Sequence, residues 1–104
     1  MRRTRIKVCG ITRPEDATKA AAMGVDALGF IFADRSPRCI SPEKVWKIVK
    51  QIPSFVSSVG VFVNSNIEEV KQIVDNCGLS QVQLHGDESV EYCRALKHWR
   101  RSLS

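Results

Sequence analysis

The sequence offers chemistry at three places. In Lys7-Val8-Cys9-Gly10-Ile11-Thr12, a short apolar run stops at a thiol and a glycine and turns toward a helix. In an α/β chain, reactive groups collect where strands end and helices begin. A thiol there serves as nucleophile, base or ligand, or packs as a small hydrophobe. The second place is the polar connection 33–40, which carries Arg35 and Arg38. Loops after strands commonly hold ligand contacts. The third is Gln83 and His85, which alternate onto one face of the short run Gln81-Val82-Gln83-Leu84-His85.

The elements that position these groups follow from periodicity. Strands are predicted at 5–11, 26–32, 57–63 and 81–85. The second and third are nearly continuous apolar runs, as in parallel sheets covered on both faces. Gly29 inside the second predicts that something bulky approaches the backbone there. Thr12 reads as a helix N-cap with Glu15 as capping-box partner, and Ser65 with Glu68 as a second such pair. Ser41 caps a helix that has Pro42 in its first turn, and Asn64 reads as part of a cap cluster. Gly24 and Gly78 are expected to close helices one and three. Apolar stripes run through Val45, Ile48, Val49 and Ile52, then through Ile67, Val70, Ile73 and Val74. In the last helix, Val90, Cys93 and Leu96 are expected to face inward. Phe30, Phe32 and Phe62 read as core.

The order is therefore βαβαβαβα, read as one domain over residues 1–104. Right-handed crossovers then give four adjacent parallel strands in sequence order. Two architectures accept that arrangement: a doubly wound open sheet, or half of an eight-fold barrel.

Composition narrows the function. Of 104 residues, 43% are hydrophobic and 26% charged, so the chain can bury a core. No run is long enough to span a membrane, and the basic start Met1-Arg2-Arg3-Thr4-Arg5 lacks the apolar segment of a signal peptide. A cytoplasmic location is expected. Cys9, Cys39, Cys77 and Cys93 show no CxxC or zinc spacing, so free thiols and no metal are expected. The net charge of +5 sits toward the two ends, at Arg2, Arg3, Arg5 and Lys7 and at Arg94, Lys97, Arg100 and Arg101. That placement favours solubility or anionic small molecules over nucleic acid.

Several blocks together are specific. Lys7 to Thr12, then Asp16-Ala17, then Gly24-Val25-Asp26-Ala27-Leu28-Gly29-Phe30-Ile31-Phe32 resemble the opening of the phosphoribosylanthranilate isomerases. Ser36-Pro37-Arg38-Cys39-Ile40-Ser41, Val59-Gly60-Val61-Phe62-Val63-Asn64 and Gln83-Leu84-His85-Gly86-Asp87-Glu88 resemble later blocks of that family, in family order. The resemblance implies a parallel (βα)4 half of a TIM (β/α)8 barrel, the family barrel being about twice this length.

It also implies an Amadori rearrangement in tryptophan biosynthesis, without a cofactor. N-(5-phosphoribosyl)anthranilate, an aminoaldose, becomes the 1-deoxyribulose phosphate. By resemblance, Cys9 is the general base. A thiol acts through its thiolate, which nearby positive charge favours, and Arg13 and Arg38 are the candidates for that charge. Arg38 matches the arginine that pairs with the anthranilate carboxylate. Gln83 and His85 are substrate-binding candidates, with His85 orienting substrate or polarising a group. Arg35 reads as a solvated loop charge, and Cys39, Cys77 and Cys93 as packing only.

The family's general acid lies on its sixth strand and its phosphate-binding loops follow strands seven and eight. The resemblance thus implies that this polypeptide alone is inactive. The tail after Lys97 does not read as a fifth strand. Open edges at strands one and four would favour homo-oligomers or pairing with a C-terminal half. The alternative is a non-catalytic, oligomerising half-barrel, or a module that binds an anionic metabolite.

Overall fold

Strand β1 (Lys7–Cys9) is three residues long, shorter than its apolar run. Gly10 ends it by turning to φ +86°, a left-handed conformation that glycine adopts without penalty. Both Gly10 and Ile11 donate their N–H groups to the carbonyl of Gly29, at 3.0 and 3.1 Å. At the other end the N–H of Ile6 is taken by the Asp26 carboxylate at 2.7 Å.

In the computed structural model the remaining elements follow in the expected order. They are α1 (Pro14–Ala22), β2 (Ala27–Ile31), α2 (Pro42–Val49), β3 (Ser57–Phe62), α3 (Ile67–Cys77), β4 (Gln81–Leu84) and α4 (Val90–Ser102). The structure describes residues 4–102; Arg2 and Arg3 of the basic N-terminal group lie outside them, as does the side chain of Arg101. The residues after Lys97 continue α4 as far as Ser102.

The sheet order is β1-β2-β3-β4 and every pair is parallel. Residues paired across parallel strands point to the same side, so the register sorts the sheet into two faces. Val8, Leu28, Phe30, Phe62, Val82 and Leu84 share one face and pack against the helices. Leu28, Phe30 and Phe62 are completely buried there, with Val45 and Val70 opposite. Gly60 leaves room for Phe62 and Leu79 on that side, and the Phe32 and Phe62 rings stack at 5.0 Å.

The other face carries Lys7 and Cys9, then Ala27, Gly29 and Ile31, then Ser57, Val59 and Val61, then Gln81 and Gln83. The Lys7 ammonium donates to Gln83 Oε1, joining the two outer strands. In a flat sheet those strands would lie about 14 Å apart. The contact forms because the sheet curls, which makes this face the inner wall of a partial barrel.

Several local expectations need correction. The N-cap of α1 is Arg13, not Thr12, and no side chain caps it. Its guanidinium pairs with Glu15 at 3.3 Å and Asp16 at 3.4 Å, so Glu15 does not reach back to Thr12. Gly24 does close that helix as expected: just past the C-cap Met23 it turns to φ +85° and donates its N–H to the Ala21 carbonyl at 3.1 Å. Asn66, not Ser65, caps α3, accepting from the Glu68 N–H at 2.8 Å. Ser41 and Gly78 cap α2 and α3 as expected.

Helix α4 is rotated from the expected phase. Tyr92, Leu96 and Trp99 pack inward, while Val90 is 63% exposed and Cys93 is exposed. The Tyr92 hydroxyl, donating to the Ser65 carbonyl at 2.9 Å, fixes that rotation. Cys39 is also exposed, so of the three cysteines read as packing only Cys77 is buried. Burial, helped by the Glu43 charge, pushes the Cys77 thiol's pKa up.

The rotation of α4 is testable by urea denaturation. Leu96→Ala should cost about 2–5 kcal/mol, the range for truncating a buried leucine. Val90→Ala should stay within about 0.5 kcal/mol, as exposed positions do. Equal losses would mean that the helix packs in another phase.

Candidate active site

All four strands end at one rim. Cys9 reaches it as the last residue of β1, on the inner face. Its partner across the ladder is Gly29, and the sulfur fills the space beside that glycine. A Cβ on Gly29 would lie 2.8 Å from Cys9 Sγ and 3.2 Å from its Cα. The bulky group expected at Gly29 is therefore the thiol itself. Cys9 remains exposed on the open side.

Arg38 arrives from the connection after β2. That loop doubles back so that Cys39 bridges to Ile31, with the Ile40 N–H donating to the Ile31 carbonyl at 3.0 Å. Ser36 holds the turn, its hydroxyl accepting from the Arg38 N–H at 3.1 Å. The result lays the Arg38 side chain over Gly10, next to Cys9 in the chain. A Cβ on Gly10 would meet Arg38 Cδ at 2.6 Å and Nη1 at 3.2 Å. Glycine at 10 is thus needed twice, for its φ and for its missing side chain. Arg38 and Cys9 share one rim, and both border one cleft with Thr12 and Asp16. Arg13, the other candidate for charge beside the thiol, is instead committed to Glu15 and Asp16.

Gln83 and His85 come from the opposite edge of the curled sheet. Gln83 Nε2 lies 2.6 Å from His85 Nε2, and Gln83 Oε1 accepts from Lys7. The His85 N–H is held by the Phe62 carbonyl at 2.9 Å, which keeps the residue on the strand line just past Leu84.

Sequence reasoning missed a clamp between the two last loops of the rim. Asn64 is not a cap. It sits at φ +51°, in the left-handed region that asparagine tolerates better than most residues. Its Oδ1 accepts from the Asp87 N–H at 2.7 Å, and Glu88 accepts from the N–H groups of Asn64 and Gly86 at 2.8 and 2.9 Å. Position 86 must be glycine, because a Cβ there would fall 2.4 Å from Asn64 Oδ1. The pairing of Asn64 with Gly86-Asp87-Glu88 spans two loops, so no local pattern announces it.

A (βα)4 wall with reactive side chains at the carboxyl ends of its strands is half of a TIM-type enzyme barrel. Comparison with known proteins makes the assignment particular. Residues 6–102 match the family model for N-(5'-phosphoribosyl)anthranilate (PRA) isomerase, and the chain belongs to that family. It is 55% identical over 91 residues to the N-(5'-phosphoribosyl)anthranilate isomerase of Syntrophus aciditrophicus, covering 88% of this chain and 40% of that one. It is similar to the crystal structure of phosphoribosyl anthranilate isomerase from Thermotoga maritima, with 44% identity and a TM-score of 0.91, covering 92% of this chain and 47% of that one. A phosphoribosyl anthranilate isomerase in complex with reduced 1-(o-carboxyphenylamino)-1-deoxyribulose 5-phosphate superposes at a TM-score of 0.92, with 43% identity, covering 93% and 50% of the two chains. The chain thus spans about half the length of the relatives it matches or less. No described helix is long and apolar enough to cross a membrane.

Two outcomes follow from this geometry. Gly29→Ala should destabilise by about 1–3 kcal/mol in urea, since the added methyl meets both sulfur and backbone of Cys9. Burial disfavours ionised Glu88, but the backbone N–H groups of Asn64, Glu88 and Gly86 and the His85 charge outweigh it, so its pKa is lowered. A group with a depressed native pKa contributes stability above its unfolded value and loses it as pH falls through the native one. The Asn64 amide resonance should therefore report a titration with a midpoint below the ordinary glutamate value of about 4.3. A midpoint at or above that value would remove the clamp.

Proposed function

We propose that this chain supplies the proton-abstracting and carboxylate-binding half of a phosphoribosylanthranilate isomerase site. The observation that carries the reading is the placement of Cys9 and Arg38 at one rim, the thiol on the last residue of β1 and the Arg38 side chain laid over the next residue, Gly10.

In this reading the substrate is N-(5-phosphoribosyl)anthranilate, an aminoaldose. Protonation of the ring oxygen opens the ribose and leaves an iminium at C1′. The Cys9 thiolate then takes the proton from C2′, and the electron pair moves into the C1′–C2′ bond to give an enolamine. Tautomerisation gives the aminoketose. Arg38 forms a charge-assisted fork with the anthranilate carboxylate, which holds C2′ toward the sulfur. Gln83 and His85 contact the substrate from the opposite edge. The step belongs to tryptophan biosynthesis, takes place in the cytoplasm and needs no cofactor.

The same reading places the general acid and the phosphate site on four further βα units, which complete the barrel along β1 and β4. A cleft at the outer side of β4 is lined by Val82, Leu84, Cys93 and Leu96 together with Lys97 and Arg100, and its apolar part suits a fifth unit or a second copy.

The purified 104-residue polypeptide should show no measurable turnover, and a polypeptide carrying the last four βα units of a relative should restore it. In the restored enzyme, Cys9→Ala should lower kcat by about 10²–10⁴-fold, the usual weight of a general base. Arg38→Ala should raise KM by about 10- to 150-fold, the worth of hydrogen bonds to a charged group. Turnover by the chain alone would refute the division of labour, and full activity of the Cys9→Ala enzyme would refute the base.

A further inference from the structure

Lys7 lies on the inner face two positions before Cys9, and the chemistry described so far leaves it without a role. Its ammonium crosses the concave wall to Gln83 Oε1. An ammonium can only donate, so it accepts nothing and selects the oxygen end of the Gln83 amide. The nitrogen end then faces His85 Nε2 at 2.6 Å. An amide nitrogen can only donate as well, so Nε2 must accept and cannot carry a proton. In the neutral ring the proton is left on Nδ1.

We propose that Lys7 is a positioning residue that acts through Gln83 to hold His85 as the Nδ1–H tautomer, so that the ring meets substrate as a neutral donor through Nδ1. The relay does more than choose a tautomer. It ties β1, which carries the thiol, to β4, which carries the imidazole, and so sets the width of the site between them. Lys7 hydrogen-bonds to neither the sulfur nor the ring. For its consequence in catalysis this proposal rests on His85 being a substrate-binding residue, but its geometry does not.

The test reads the tautomer directly, in the 104-residue chain, by ¹⁵N–¹H correlation of the imidazoles in alkaline solution, where the rings are neutral. There are two histidines, and His98→Gln assigns them. The wild-type His85 should show a protonated Nδ1 and a bare Nε2. Lys7→Arg, another pure donor, should keep that pattern, and Lys7→Met should give a mixture of tautomers. Gln83→Glu offers only acceptors to the ring and should move the proton to Nε2. A protonated Nε2 in the wild type, or an unchanged pattern in Gln83→Glu, overturns the proposal. The wild-type and Gln83→Glu spectra decide it even if Lys7→Met fails to fold. No substrate is needed, so loss of the Cys9 reading leaves this result standing, and the reverse also holds.

Discussion

Parallel pairing in sequence order is the constraint from which the site derives. Because β1 to β4 run the same way, every strand delivers its carboxyl end to one rim, and every connection back to the other rim must be a helix. Register then decides which residues share the inner face. Cys9 opposite Gly29 is the decisive pair, since a side chain at 29 would take the volume that the sulfur occupies. The curl of the sheet adds the second dimension, bringing the far edge with Gln83 and His85 across from the thiol edge through Lys7. Chemistry that no single strand could hold is assembled by four.

Much of this was legible in the chain. Continuous apolar runs at 26–32 and 57–63 signalled strands covered on both sides, and the helix stripes through Val45 and Val70 fell where the core lies. The short motif at Lys7 to Thr12 marked the junction that carries the thiol. What failed was local competition between neighbours of similar capping ability. Asn66 won over Ser65, and the ion pairs of Arg13 displaced the expected Thr12–Glu15 box. The phase of α4 failed for another reason. Its inward face is chosen by Tyr92 reaching the Ser65 carbonyl, a contact across 27 residues that periodicity does not record. Lys7 was invisible as more than terminal charge for the same reason, its partner being 76 positions away.

The rim loops differ in how they are held. The connection after β2 is a backbone turn braced by Ser36, which leaves the exposed Arg38 side chain resting on Gly10. The loops after β3 and β4 are instead locked to each other through Asn64 and Glu88. One side of the rim is therefore held by its own backbone turn, and the other by side chains that cross between loops.

The pattern of packing has a further consequence. The dominant contacts run between successive elements, β1 with β2, β2 with β3, β3 with β4, and likewise along the row of helices. Such an array behaves almost as a one-dimensional lattice, in which each unit is stabilised chiefly by the unit on either side. The outer units have one such neighbour and the inner two have two. Unravelling should then start at the ends, with backbone amides of β2 and β3 the last to exchange with solvent, and assembly can begin at any adjacent pair and spread outward.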